Sequence, residues 1–344
     1  MILSLFLLLA TPAFADSAEV DRLFRDFDRP DVPGATVLVS HAGGTALARA
    51  YGSADLEGGA PTTTATRFRL ASVSKAFTAL AVIQLVEAGA ISLQTPLGEI
   101  LPGIPYAGKI QIRHLLQHTS GLKDYEGLIP SVQSAQVSDD DVLRLLATAG
   151  DTDFTPGTRW SYSNSGFVLL GLVVRALSGL TFPDYLRRHV FDPLGMKGTV
   201  AHVEGVSIVE NRAYGHSYRD GRWTRTDQSV TSATLGDGGI YASVEEMAAW
   251  DRAWYGGTAA LSDWAIATMT APGTLADGTS TGYGMGWKLD TYRGLKRLQH
   301  TGSSIGFRTV IQRYTERRLS VIVLVNRAEA EPSKLAERVT DLYL

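Results

Sequence analysis

Short β-type runs stand at both ends of this 344-residue chain, with helical segments between them. That order restricts the fold more than any other feature. Near the start, "GATVLVSHAGGTALARAYG" (34–52) reads as two strands around His41-Ala42-Gly43-Gly44, a hairpin pattern. After about residue 282, "GYGMGWKLD", "GLKRLQH", "GFRTVIQRY" and "RLSVIVLVN" are strand-like runs parted by Gly and charged turns. A final amphipathic helix is expected at about 333–342. The middle holds helical patterns at 138–150, 164–179, 181–191 and 243–257. Ser138 caps the first of these, with three aspartates in its first turn, and Ser243 with Glu246 opens the last as a capping box. Strands from both ends can form one antiparallel sheet, with the helical middle as a lobe beside it. The expectation is a single α/β (α+β) domain over 16–344, with sheet parts at about 16–70 and 282–344 and a lobe at about 71–281. A crevice between sheet and lobe is a usual place for an active site.

Composition removes several function classes. The chain has no cysteine, so disulfides, thiolate chemistry and an acylated lipoprotein cysteine are excluded. Its formal net charge is −3, which offers no footprint for nucleic acid. The first residues, "MILSLFLLLATPAFAD", carry an apolar run and a small-x-small pattern at Ala13-Phe14-Ala15. They read as a signal peptide, residues 1–15, though without a Lys or Arg. The run is too short to span a bilayer. A later apolar stretch is interrupted by Arg175. The mature chain is therefore expected to be periplasmic or secreted, with no stable membrane insertion.

The chemical question centres on "RLASVSKAFTALAVIQLVEAG" (69–89). A helix is expected from about Ser72 to Ala88, stopped by Gly89. Ser72 and Lys75, at i and i+3, then share a face, while Ser74 points elsewhere. The helix is apolar nearly all round, so it should be buried and Lys75 partly desolvated, a setting in which an amine can act as a base. Three decoys need separating from this pair. Ser120 and Lys123 repeat the spacing, but within a turn-like "SGLK". Ser304 lies in Gly302-Ser303-Ser304-Ile305-Gly306, a G-x-S-x-G match followed by a strand rather than a helix. His114 and His118 have metal-ligand spacing, but Leu115 stands where a metalloprotease would have its Glu, so no metal is expected.

Two further segments complete a pattern. Tyr162-Ser163-Asn164 precedes an apolar helix, and His300-Thr301-Gly302 ends a β-run. Together, Ser72-x-x-Lys75, Tyr162-x-Asn164 and His300-Thr301-Gly302 resemble the serine β-lactamase and penicillin-binding-protein superfamily. The order is most similar to the branch of class C β-lactamases, D-Ala-D-Ala carboxypeptidases, D-amino-acid peptidases and related esterases. "LLQHTSGL" (115–122), "FDPLGM" (191–196), "GDGGIYASVEEMAAW" (236–250) and "YGMGW" (283–287) also look like that branch.

The resemblance implies a β-lactamase/transpeptidase-like fold and an acyl-enzyme on Ser72, with no cofactor. It makes Lys75 the group that helps remove the serine proton and Tyr162 a general base and acid in the same hydrogen-bond network. Asn164 would orient Lys75 or the substrate amide, and the N–H groups of Ser72 and Ser303 would form the oxyanion hole. Two departures bear on substrate. His300 replaces the usual Lys, giving an imidazole only partly charged near neutrality. The loop at 121–127 has Lys123, Asp124 and Tyr125 but no Gln. The expected substrates are small esters, amides or peptides, some with D-residues, with weak β-lactam hydrolysis. The alternatives are a true class C-like β-lactamase, a D-Ala-D-Ala carboxypeptidase, or a penicillin-binding or sensor protein without turnover.

Overall fold

The computed structural model describes residues 17–344, so the leader at 1–15 lies outside the described residues. Both ends of the chain build one six-stranded antiparallel sheet. Its spatial order is Lys288–Tyr292, Leu295–Ser304, Phe307–Tyr314, Leu319–Val325, Ala35–His41 and Gly44–Tyr51. The two ends meet where Ala35–His41 pairs with Leu319–Val325, from Ala35 opposite Val325 to His41 opposite Leu319. The N-terminal hairpin turns at Ala42 and Gly43, both with positive φ, as a two-residue hairpin turn requires.

Both faces of this sheet are covered, which explains why Leu319–Val325 is buried at every position. Val37, Val39, Val321 and Val323 face one core with Val20, Ala336 and Val339 from the helices Ser17–Leu23 and Pro332–Tyr343. Leu38, Ile322 and Leu324 face the other core, shared with the lobe. The helix Lys75–Glu87 runs inside that lobe, and every residue from Lys75 to Ile83 is buried. It packs on Asn164–Ser178, which ends at Gly179 in the left-handed conformation. Among the described residues, no single helix is long and apolar enough to cross a membrane.

The lobe is less purely helical than expected. It contains Val200–Ala201 and Ile240–Ala242, which join Phe68–Arg69 in a three-stranded sheet, and a hairpin of His216–Arg219 with Arg222–Arg225. Strands of two to four residues are too short to show alternation in sequence. The pairing of Phe68–Arg69 with Ile240–Ala242 matters for function, because the chain leaves it directly into the turn carrying Ser72.

The helix Asp139–Thr148 begins with the expected capping box between Ser138 and Asp141. Its three aspartates have different fates. Asp140 pairs with Arg175, and Asp141 caps. Asp139 turns inward and accepts a hydrogen bond from Leu235 N at 2.9 Å. Burial pushes its carboxyl up to about 7. The folded state therefore holds a proton that the unfolded chain releases near the ordinary carboxylate range. That contribution to stability is complete below about pH 4 and is lost as pH rises through 7. Asp139→Asn keeps an acceptor for Leu235 N–H and removes the ionisation. Its melting temperature is expected to exceed that of the unsubstituted protein at pH 8, with the gap closing toward pH 4. A gap independent of pH in circular-dichroism melts overturns this account.

Candidate active site

The chain passes from Phe68–Arg69 through Leu70, whose N–H donates to Ile240 O at 2.8 Å, and turns at Ala71 with φ of 49°. A left-handed non-glycine residue here costs on the order of 1–3 kcal/mol and is held by its surroundings. Ala71–Ser74 is a 3₁₀ turn, and Lys75 opens the α-helix. Lys75 Nζ donates to Ser72 Oγ at 3.0 Å, to Asn164 Oδ1 at 2.8 Å and to the carbonyl oxygen of Asp237 at 2.8 Å. Three acceptors thus surround the nitrogen of one fully buried lysine, more enclosed than the partial desolvation expected from sequence. Ser74 turns the other way, and its Oγ accepts from Ile240 N at 3.2 Å.

The strand Leu295–Ser304 lies against the Ser72 turn. A Cβ on Gly302 would stand 2.2 Å from Leu70 O and 2.2 Å from Thr309 Oγ1, so only glycine permits this approach. Ser304 and Phe307 close the two-residue turn at the strand's end. Hydrogen-bonded pairs alternate with non-bonded ones in an antiparallel ladder, so Ser303 directs its N–H away from Phe307–Tyr314. On that side the edge strand stops at Lys288, opposite Gln299, leaving the N–H of Ser303 uncovered by it. Ser303 lines the same small cavity as Ser72.

Tyr162 stands over the Lys75 network ring-on, with Nζ 5.0 Å from the ring centroid. The hydrogen bond to Ser72 comes from Lys75. Ser163, next to Tyr162, is the N-cap of the Asn164–Ser178 helix. The expectation for His300 needs correction. Its Nδ1 donates to Thr301 O at 2.8 Å, and its Nε2 accepts from the Tyr283 hydroxyl at 2.9 Å. Burial, then the charge of Lys75, pushes its pKa down to about 3. The imidazole is neutral at pH 7 rather than partly charged.

The other candidate residues have local contacts of their own. Ser120 Oγ accepts from Leu122 N at 3.3 Å, while Lys123 Nζ donates to Ala149 O at 2.9 Å. Ser304 ends the strand Leu295–Ser304, and the strand Phe307–Tyr314 rather than a helix follows it. His114 Nδ1 accepts from Gln111 N in a capping box, and His118 lies beyond the end of that five-residue helix. Among the described residues, no group of three potential ligands could hold a metal.

Four site residues were missed in sequence. Glu126 Oε1 accepts from Asn164 Nδ2 at 3.1 Å, and Asp124 Oδ2 accepts from Asn164 N at 2.6 Å. Tyr125 is buried beneath and donates to Asp237 Oδ2 at 3.0 Å. The family pattern places an amide in the loop at 121–127, but in this chain the loop's carboxylates are what reach the site. Burial, then Asp124 and Asp237, push the Glu126 carboxyl above its ordinary value. A search for carboxylates spaced against Asn164 could have found it.

The cleft has two compartments. A cavity of about 80 Å³ holds Ser72 with Arg69, Glu126, Asn164, Thr234 and Ser303 on its walls. A wider one of about 600 Å³ is lined by Trp160, Tyr162, Tyr283, His300 and Thr301. A serine beside a buried lysine, with backbone N–H groups at hand, equips the smaller cavity for acyl transfer.

Comparison with known proteins agrees with this chemistry. The family model described as Beta-lactamase matches residues 20–343. Penicillin-binding protein 4* of Bacillus subtilis is 31% identical over 309 residues, which cover 86% of this chain and 68% of that protein. A D-aminopeptidase of Cereibacter sphaeroides is 29% identical over 300 residues, covering 86% of this chain and 57% of that enzyme. The chain thus spans little more than half the length of the latter. The octameric penicillin-binding protein homologue from Pyrococcus abyssi superposes with a TM-score of 0.81 at 25% identity, covering 95% of this chain and 77% of that one. The chain belongs to the beta-lactamase family, in the branch that includes penicillin-binding proteins and D-aminopeptidases, and it is a serine hydrolase.

Proposed function

We propose that this enzyme is an amidase or aminopeptidase that recognises the free α-amino group of its substrate and forms an acyl-enzyme on Ser72. The observation that carries this reading is Glu126, a carboxylate held on Asn164 at 3.1 Å and lining the small cavity with Ser72. Asp124, Glu126 and Asp237 crowd this corner, and a substrate ammonium offsets their mutual repulsion. The named D-aminopeptidase relative supports D-configured N-terminal residues. The neutral His300 supplies no cation for a carboxylate, which favours recognition at the amine end over a β-lactam or D-Ala-D-Ala terminus.

Catalysis follows from the contacts. Ser72 Oγ attacks the carbonyl as its proton passes along the 3.0 Å contact to Lys75, which accepts it as the free amine. The N–H groups of Ser72 and Ser303 receive the oxyanion, each such donor being worth roughly 2.7–4 kcal/mol of transition-state stabilisation. Lys75 passes the serine proton through Tyr162, which lines the wider compartment, to the departing amine. Water then hydrolyses the acyl-enzyme. Small esters with a free amine follow the same route, and β-lactams are turned over weakly.

The test compares D-alanine p-nitroanilide with its N-acetyl form. The free amine is expected to be strongly preferred, with a burst followed by steady turnover. Glu126→Gln is expected to lower kcat/KM for the free amine roughly 10- to 100-fold, the value of a charged hydrogen bond. Equal hydrolysis of both substrates by the unsubstituted enzyme overturns the reading, and a burst without turnover replaces it with a non-turnover binder.

A further inference from the structure

His118 has no part in the mechanism above, yet Tyr162 is suspended from it. It sits past the end of Ile112–Leu116 in the left-handed conformation, with φ of 57°. Its carbonyl oxygen accepts from Ser161 N at 2.9 Å, and its ring Nδ1 accepts from Ser163 N at 3.2 Å. The residues on both sides of Tyr162 are therefore bound to one residue. Between those anchors, the imidazole packs against the Tyr162 ring with centroids 4.4 Å apart. Phe167 and Tyr283 close around the same imidazole at 5.1 and 4.6 Å. The support is rigid because it is buried: His118 is 1% exposed, while Tyr162 is 38% exposed toward the cleft.

The hydrogen-bond geometry also specifies the form of the ring. Nδ1 accepts, so the proton belongs on Nε2. Burial, followed by the charge of Lys75, holds the imidazole neutral. A protonated ring would lose its acceptor and turn from anchor to repellent of the Ser163 N–H.

We propose that His118 is the positioning residue of Tyr162. It clamps the backbone on both flanks of that tyrosine and backs its ring, which aims the hydroxyl at the bond being broken. The inference rests on the role given to Tyr162 under the proposed function. A displacement of about 1 Å at a proton-transferring group costs on the order of 100-fold in rate.

The experiment is a double-mutant cycle read on D-alanine p-nitroanilide, with active enzyme counted by burst titration. His118→Gly tolerates the positive φ and keeps the carbonyl anchor, but loses the Nδ1 acceptor and the ring. Its kcat is expected to fall about 30- to 100-fold with KM changed less than about threefold. In a Tyr162→Phe background the same substitution is expected to cost less than about threefold, because there is no hydroxyl left to aim. His118→Asn tolerates this conformation and carries an acceptor near the Nδ1 position, so it is expected to recover about tenfold of the loss. Equal losses in both backgrounds, or full activity of folded His118→Gly, overturn the proposal. If His118→Gly does not fold, the cycle is read with His118→Asn on the same criterion. If Tyr162→Phe alone retains full activity, the role of Tyr162 falls first and this inference falls with it.

Discussion

Ser72→Ala is expected to lower kcat by roughly five to six orders of magnitude, as removal of a nucleophile does in other serine hydrolases. The substitution removes the atom proposed to form the acyl bond. It also takes from Lys75 one of three acceptors, leaving Asn164 Oδ1 and Asp237 O in place. The fold should therefore survive, with a melting temperature close to that of the unsubstituted enzyme. Labelling by a serine-reactive phosphonate should vanish together with activity. Ser74→Ala is the internal control. Its hydroxyl is buried and accepts from Ile240 N, so its loss leaves a buried N–H without that partner. That costs about 1–3 kcal/mol of stability and no order of magnitude in kcat. If Ser74→Ala abolishes labelling and Ser72→Ala does not, the nucleophile has been misassigned.

The contrast between these serines shows what a sequence makes legible. Helical register alone put Ser72 on the face of Lys75 and Ser74 off it, and the 3.0 Å contact has that origin. The absence of a helix at Ser120 was equally local, as was the strand after Ser304. The sheet was legible because its strands are β-rich runs of 5 to 10 residues bounded by Gly and charged turns. Other parts depend on contacts that spacing does not encode. Asp237 serves Lys75 through a main-chain carbonyl, which any residue could supply. The charge state of His300 depends on burial and on Lys75, which comes from another segment. Thr301-Gly302 looks like a polar turn until Leu70 O is found where a side chain would be. Glu126 stands beside Tyr125 in the sequence, but only the fold brings its carboxylate to Asn164.

Lys75→Ala is the second large effect, and it separates the lysine's two duties. As the proton acceptor for Ser72 it is worth about 10²- to 10⁴-fold in rate. As a buried donor it satisfies Asn164 Oδ1 and Asp237 O, which alanine leaves facing a void. Each buried acceptor left without a partner costs about 1–3 kcal/mol unless water replaces the donor. The variant should therefore lose both activity and several degrees of melting temperature. Phosphonate labelling of Ser72 should slow by about the same factor as kcat, because both need the serine proton removed. A small primary amine added to the buffer can enter the space left by the side chain, and should restore part of the labelling rate without restoring stability fully. Lys75→Arg is not expected to rescue. Three acceptors converge on one nitrogen within 3.0 Å, a point-charge geometry that a planar guanidinium cannot reproduce. A kcat within about tenfold of the unsubstituted enzyme for Lys75→Ala would remove lysine from the proton path and leave Tyr162 as the group that must take the serine proton.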